Sequence, residues 1–246
     1  MKKILMLGTG GTIASRQTKD GLAPGLTPED ILSYIPAVKN VCEVQTKQVC
    51  NLDSTNVTPE HWKMMVKAVE DNYAYYDGFV ICHGTDTLAY TAAALSYMIQ
   101  NSAKPIVVTG AQKPINMDVT DAKTNLLDSF IYAADDDSHD VSLVFDGKVI
   151  LGTLARKART KSYDAFSSVD YPEIGVIRDG KLLRYLAPKQ YMDGAKPTFY
   201  DKLEERVLLL TLIPGMGAEG LRRLRDSYQA VILQSFGVGG LPGGES

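Results

Sequence analysis

The sequence predicts an α/β protein: a flavodoxin-like, doubly wound parallel-sheet domain at the N-terminus, then a smaller, incomplete α/β unit. Three observations carry this prediction. Short apolar segments alternate with stretches of helical period along most of the chain, the pattern of βαβ units. Helix-start signals recur between them, as Thr27-Pro28-Glu29-Asp30 and Thr58-Pro59-Glu60. Residues able to do chemistry follow successive strands at their carboxyl ends, where open α/β sheets hold their ligands.

The elements follow in order. Residues 3–7 read as a first strand, ending at Gly8-Thr9-Gly10-Gly11-Thr12. Thr27 is placed to cap a helix, with proline in its first turn and acids after it. Residues 41–49 read as a second strand, and a helix follows Thr58 on the stripe Trp62, Met65, Val66, Val69 and Tyr73. Next come strand 78–82, helix 87–99, strand 105–109 and helix 121–133. Asp146-Gly147 and Asp179-Gly180 each stand between two apolar runs, the two-residue hairpin signal. The pattern fades over 187–205, which reads as a linker between a domain at 1–186 and an incomplete one at 206–246. That last region holds two strands and one helix, too few to bury both faces of a sheet, so we expect the second domain to be truncated.

Composition narrows the function classes. The 246 residues are 45% hydrophobic and 22% charged, which excludes a disordered or fibrous chain. Lys and Arg number 26 against 29 Asp and Glu, for a net charge of -3, so there is no cationic footprint for nucleic acid or an anionic membrane. Three cysteines without a Cys-x-x-Cys pair argue against a disulfide scaffold or structural zinc and for reduced thiols. The apolar run at Ile4 stops at Gly8, too short for a secretory signal, and no stretch is long enough to span a bilayer. The expectation is a soluble, cytoplasmic protein.

Three strand ends carry candidate chemistry. The glycines at 8–11 let backbone approach a ligand, and Thr12 presents a hydroxyl at the mouth of the turn. A dinucleotide fingerprint fails because Ile13 stands where its last glycine belongs. His83-Gly84-Thr85-Asp86-Thr87 puts a carboxylate between two hydroxyls; a bare helix cap is the plainer alternative. Asp53-Ser54-Thr55 follows the second strand and alone reads as a turn. The cationic run 156–161 reads as a solvated segment unless one cation turns inward onto a carboxylate, where a lysine can serve as a base. His61 and His139 read as surface residues, and Asp135-Asp136-Asp137 as a solvated loop without a metal.

With these residues in view, the chain resembles the bacterial-type L-asparaginases, in particular their cytoplasmic type I branch. The resemblance rests on Thr9-Gly10-Gly11-Thr12-Ile13-Ala14-Ser15 and on the fourteen-residue run from Gly78 to Thr91. It continues through Pro105 to Gln112, Lys161 to Phe166 and Ser235 to Gly239, so it covers essentially the whole sequence. It implies Thr12 as the nucleophile on the side-chain amide of asparagine. It implies a second constellation of Thr85, Asp86 and Lys157, in which lysine and aspartate polarise the threonine. Asp53, Ser54, Gly84 and Ala111 then surround the substrate, with Asp86 also holding its α-amino group. The resemblance implies no cofactor and no metal, and a homodimer or dimer of dimers in complete members.

Two positions depart from the family pattern. Leu22 stands where many members carry a tyrosine bonded to the first threonine, and Gly240 where some carry an asparagine reaching a neighbouring subunit. Together with the expected truncation, Leu22 motivates an alternative, a catalytically inactive fragment or amino-acid-binding module. The intact Thr12, Thr85, Asp86 and Lys157 favour an amidohydrolase.

Overall fold

A computed structural model describes residues 1–18, 21–191, 196–224 and 226–241. The chain forms two compact units, residues 1–201 and 202–246. The strands of the first unit grow from apolar β-branched runs. Strand β1 (Lys3–Gly10) is buried on both faces beyond its first residue, as a central parallel strand must be. A small antiparallel pair follows, β2 (Ser15–Thr18) with β3 (Gly21–Pro24), in which Leu22 lies opposite Gln17; the Leu22 side chain is outside the described residues. Helix α1 (Pro28–Ser33) starts on the expected signal: Thr27 and Asp30 close a capping box across four residues. Strand β4 (Glu43–Leu52) then precedes helix α2 (Pro59–Asn72), capped by Thr58. His61 helps make that cap, its Nδ1 accepting from the Thr58 backbone N–H at 3.1 Å, and it is half-buried rather than a free surface residue.

The remaining units are β5 (Gly78–Cys82), α3 (Leu88–Met98), β6 (Ile99–Gln100), β7 (Ile106–Thr109), α4 (Ala122–Ala134) and β8 (Val141–Phe145). Strand β9 (Lys148–Leu151) returns from β8 through Asp146-Gly147, with φ of 50° and 71°. Those values fit the hairpin turn that aspartate and glycine favour. Strands β10 (Ala155–Lys157) and β11 (Phe166–Ser168) make a separate pair, and β12 (Gly175–Arg178) and β13 (Lys181–Arg184) a second Asp-Gly hairpin.

Eight strands form the main sheet in the order β13-β12-β9-β8-β7-β5-β1-β4. The five from β8 to β4 are parallel and the added hairpins antiparallel. Read by sequence, the parallel strands run 2-1-3-4-5, the flavodoxin order. The chain reverses its direction of travel between β1 and β5, and that gap is the topological switch point, where such sheets bind ligands.

One connection departs from the doubly wound rule. Side chains alternate between sheet faces, so Ile4, Met6, Val80 and Val107 share one face with Ile31, Val38, Leu126 and Phe130. Helices α1 and α4 therefore cover that face. Tyr73, which ends α2, stacks on Phe79 of the other face, and α2 packs with α3. The steps from β4 through α2 and from β5 through α3 travel in the same direction as β7 through α4, yet α4 lies on the opposite face. Its crossover thus has the opposite hand to the others, in a class where about 98% share one hand. The consequence is local: the segment 110–121 must pass over the carboxyl end of the sheet, where the Ile115 N–H bonds the Ile13 carbonyl at 3.3 Å.

The stretch 187–205, expected as a linker, is tied to the first unit for much of its length. Strand β14 (Thr198–Phe199) pairs with β6, and the Lys189 N–H bonds His139 Nε2 at 2.9 Å. Residues 192–195 lie outside the described residues. His139 is accordingly packed, with Nδ1 at 3.0 Å from Asp140 and its ring against Tyr191. Of the aspartates at 135–137, Asp136 and Asp137 are exposed as expected, Asp136 with Lys2 at 2.7 Å, while Asp135 is half-buried and paired with Arg184. The second unit is one βαβ motif, β15 (Val207–Thr211), α5 (Glu219–Leu224) and β16 (Ala230–Gln234), its strands parallel. Phe236 bridges to Gly240 after it; residues 242–246 of the glycine-rich ending are outside the described residues. Among the described residues no helix is long and apolar enough to cross a membrane.

Candidate active site

The site is built where β1, β4, β5 and β7 end. Gly11 has φ 76° and ψ -177°, a conformation open essentially to glycine. Its N–H bonds the Leu52 carbonyl at the end of β4, and its Cα sits against the backbone of Gly84 after β5. Thr12 and Thr85 each follow one of these touching glycines. Thr12 is half-buried at the head of a 3-10 turn, whereas Thr85 is buried. The Thr9 hydroxyl donates to the Cys82 carbonyl at 2.8 Å, which locks the ends of β1 and β5 together.

Lys157 is the cation that turns inward. It comes from the separate β10–β11 pair, and its side chain is only 15% exposed. Nζ lies 2.6 Å from Asp86 Oδ1 and 2.9 Å from Thr85 Oγ1. The Asp86 side chain is 58% exposed, so the carboxylate remains open to a ligand while it holds the lysine. Beside the pair lies a cavity of about 500 Å³, floored by Ala89 and Ala93 of α3. The rest of the cationic run behaves as a surface segment, Arg159 pairing with Asp164 at 2.8 Å.

The other expected residues gather around this centre. Ser54 is buried against Gly84, and its carbonyl accepts from the Thr87 hydroxyl at 2.7 Å. Asp53 is exposed and turns one carboxylate oxygen onto Thr55, 2.9 Å from the N–H and 2.7 Å from the hydroxyl. Ala111 is fully buried in the segment that crosses the sheet end. Among the described residues no three metal-ligating side chains cluster.

Two positioning groups escaped the sequence reading. Gln112 accepts the Thr85 hydroxyl at 3.2 Å, while its amide nitrogen donates to the carbonyls of Thr160 and Ser162 at 3.1 and 2.9 Å. It therefore ties Thr85 to the loop beyond Lys157. His83 is completely buried, and its Nδ1 lies 2.7 Å from the Gly84 carbonyl. A carbonyl only accepts, so Nδ1 carries the proton and Nε2 accepts from Thr91, 3.0 Å away. Trp62 Nε1 donates to that threonine in turn, at 2.9 Å. Burial holds the imidazole pKa down at about 4, which keeps the ring neutral. Nothing in the periodicity marks either residue, because each acts through one long-range hydrogen bond.

Comparisons with known proteins agree with this architecture. The family model "Asparaginase, N-terminal" matches residues 3–190. The L-asparaginase of Thermococcus kodakarensis is 36% identical over 241 residues, 98% of this chain and 73% of that protein. The solved structure of the thermostable L-asparaginase from Thermococcus kodakarensis superposes with a TM-score of 0.90 at 37% identity, over 98% of this chain and 73% of that one. One subunit of the glutamyl-tRNA(Gln) amidotransferase of Pyrococcus furiosus is 34% identical over 97% of this chain but 57% of its own length.

Proposed function

The chain belongs to the asparaginase family, and from that premise we infer that it hydrolyses the side-chain amide of L-asparagine to L-aspartate and ammonia. The observation that carries the reading is Lys157 Nζ held on both Asp86 and Thr85, next to the Gly11–Gly84 contact that brings the Thr12 loop alongside. A threonine hydroxyl is a weak nucleophile and needs an adjacent base. In our reading Thr12 attacks the amide carbon and forms a β-aspartyl ester as ammonia leaves. Water then cleaves the ester, with Thr85, Lys157 and Asp86 moving the proton. Amides of the glycine loop and of the segment at Ala111 stabilise the oxyanion, at about 3 kcal/mol per donor. Asp86 holds the α-ammonium of the substrate, and Ser54, Gly84 and Asp53 the α-carboxylate end. The chemistry requires no cofactor. We extend the reading to a cytoplasmic homo-oligomer, for which sedimentation velocity is the test.

The amidotransferase relative favours a second reading, in which the same amide cleavage supplies ammonia to a partner protein. The fuller coverage of the L-asparaginase, 73% against 57%, supports the first. Ammonia release from L-asparagine by the purified chain, without RNA or partner, decides between them. Thr12→Ala and Thr85→Ala should each abolish it. Turnover surviving either change overturns the mechanism, and a folded chain without turnover supports the binding-module alternative.

A further inference from the structure

Helix α4 runs beside the turns of both Asp-Gly hairpins, and a cavity of about 520 Å³ lies among them. No residue of the candidate active site lines it. That volume is in the range of small-ligand pockets, about 300–1,000 Å³. Leu127, Ile131 and Ile177 give it an apolar wall, completed by Ile35 and Pro36 beyond α1.

Asp128 makes the cavity more than a crevice. It is 7% exposed yet faces this space, and among the described residues no group donates it a hydrogen bond and no cation pairs with it within 4 Å. A largely buried carboxylate with no protein donor carries a desolvation cost that water in the cavity or a ligand must offset. Donors near the start of α4 are engaged by other acceptors, while Tyr34, Lys123, Thr124 and Arg178 line the cavity without bonding Asp128. Asp121, one helical stretch earlier, takes the N–H groups of Gln112 and Lys113 at 2.8 and 3.1 Å, and Asn125 Nδ2 at 3.2 Å. The Asp146 N–H goes to Asn125 Oδ1 at 2.9 Å. Arg178 attracts Asp128 from a distance while Asp146 repels it, and burial raises its pKa to about 6.

We propose that this cavity binds a small organic ammonium ion of the primary alkylamine class, its head on the Asp128 carboxylate and its chain along Leu127, Ile131 and Ile177. The chemistry selects that class. Three carboxylates, Asp128, Asp146 and Asp179, outnumber the two cations Lys123 and Arg178 around the space, which disfavours an anion. Among the described residues no three metal-ligating side chains cluster to hold a divalent cation. An alkylammonium brings three donors to a carboxylate that no protein group serves, and an apolar tail to an apolar wall.

Calorimetric titration of the full chain with n-butylammonium chloride tests this, with n-butanol at matched salt as the neutral control. Saturable binding is expected for the amine and none for the alcohol. Asp128→Asn should weaken binding by at least about tenfold, the effect of losing a charge-assisted bond, without unfolding the chain. Asp86→Asn should leave it unchanged, since that carboxylate belongs to the other site. Ile131→Trp, which fills the cavity, should abolish it. Affinity should fall as pH drops through 6. Lys123 of α4, Asp146, Arg178, Asp179 and Tyr34 also face the space, so the loss is assigned to Asp128 only if Asp128→Asn is insensitive to pH. Absence of saturable heat, equal binding of the alcohol, equal affinity in Asp128→Asn, or loss in Asp86→Asn overturns the proposal.

Discussion

Gly84→Ala tests whether the contact of two turns sets the geometry of the candidate site. A methyl group on Gly84 would stand 2.6 Å from Ser54 Oγ, 2.7 Å from Ser54 Cβ and 3.2 Å from Gly11 Cα. Gly84 has no positive φ, so the cost is one of contact alone. Ordinary carbon contacts begin near 3.4 Å, so the turn must open by roughly 0.8 Å, and overpacking of that kind costs about 1–3 kcal/mol. A chain of this size loses about 2–4 °C of melting temperature per kcal/mol, giving an expected drop of about 2–12 °C. Thr85 follows Gly84, and a misplacement near 1 Å costs on the order of 100-fold in rate. The expected kcat for ammonia release is therefore lower by tens of fold. Calorimetry and steady-state kinetics on one preparation read both quantities. The double variant Gly84→Ala/Ser54→Gly removes both Ser54 contacts, so its melting temperature should exceed the sum of the two single effects. Wild-type kcat and melting temperature in Gly84→Ala would refute the reasoning, and so would strict additivity in the double variant.

Other perturbations separate catalysis from stability. Lys157→Met should lower kcat by about 100- to 10,000-fold, the range for lost proton transfer. Its partner Asp86 stays largely solvated, so melting should move little; a large drop would make the pair structural. Gln112→Leu should lower kcat by about tenfold with KM nearly constant, and an unchanged kcat would remove it as a positioning residue. Asp128 and His83 should impose opposite pH dependences. The Asp128 pKa is raised from 3.8 to about 6, so the fold binds the extra proton and this term gains stability as pH falls from 6 to 4. Asp128→Asn should thus be about 1–3 kcal/mol more stable than wild type at pH 7.5, with the advantage gone near pH 4. His83 is depressed from 6.5 to about 4, so the unfolded chain takes the proton first and stability falls by about 3 kcal/mol across that window. In denaturant titrations, the excess acid lability of Asp128→Asn over wild type measures the Asp128 term, and the fall that remains in the variant itself is the His83 term. Parallel pH curves would count against the first assignment, and a variant whose stability does not fall between pH 6.5 and 4 against the second.

What could be read beforehand was local. Thr27 and Thr58 mark helix starts because capping is settled within four residues, and Asp146-Gly147 marks a hairpin because its turn needs positive φ. The three strand ends bearing hydroxyls were legible because a parallel sheet sends every carboxyl end to one rim. The inward turn of Lys157 was not, since its partners lie 71 and 72 residues away and spacing cannot encode that meeting. The hand of the α4 crossover was hidden for the same reason. An apolar stripe on a helix says that it packs, not which face of the sheet receives it. The stretch after 187 lacked a pattern because single bonds to His139 and a two-residue strand pairing hold it, without a repeating apolar face.

The chain of contacts from Trp62 through Thr91 and His83 to the Gly84 carbonyl also has an optical consequence. Trp62 is the single tryptophan of the sequence, so the indole emission of the protein comes from one chromophore. That chromophore is joined by three successive hydrogen bonds to the peptide preceding Thr85. Any event that tilts this peptide, whether a ligand arriving beside Thr85 or the protonation of His83 in acid, changes the polarity and hydrogen bonding felt by the indole. The wavelength of its emission thus serves as a built-in gauge of the geometry beside Thr85, with no label added.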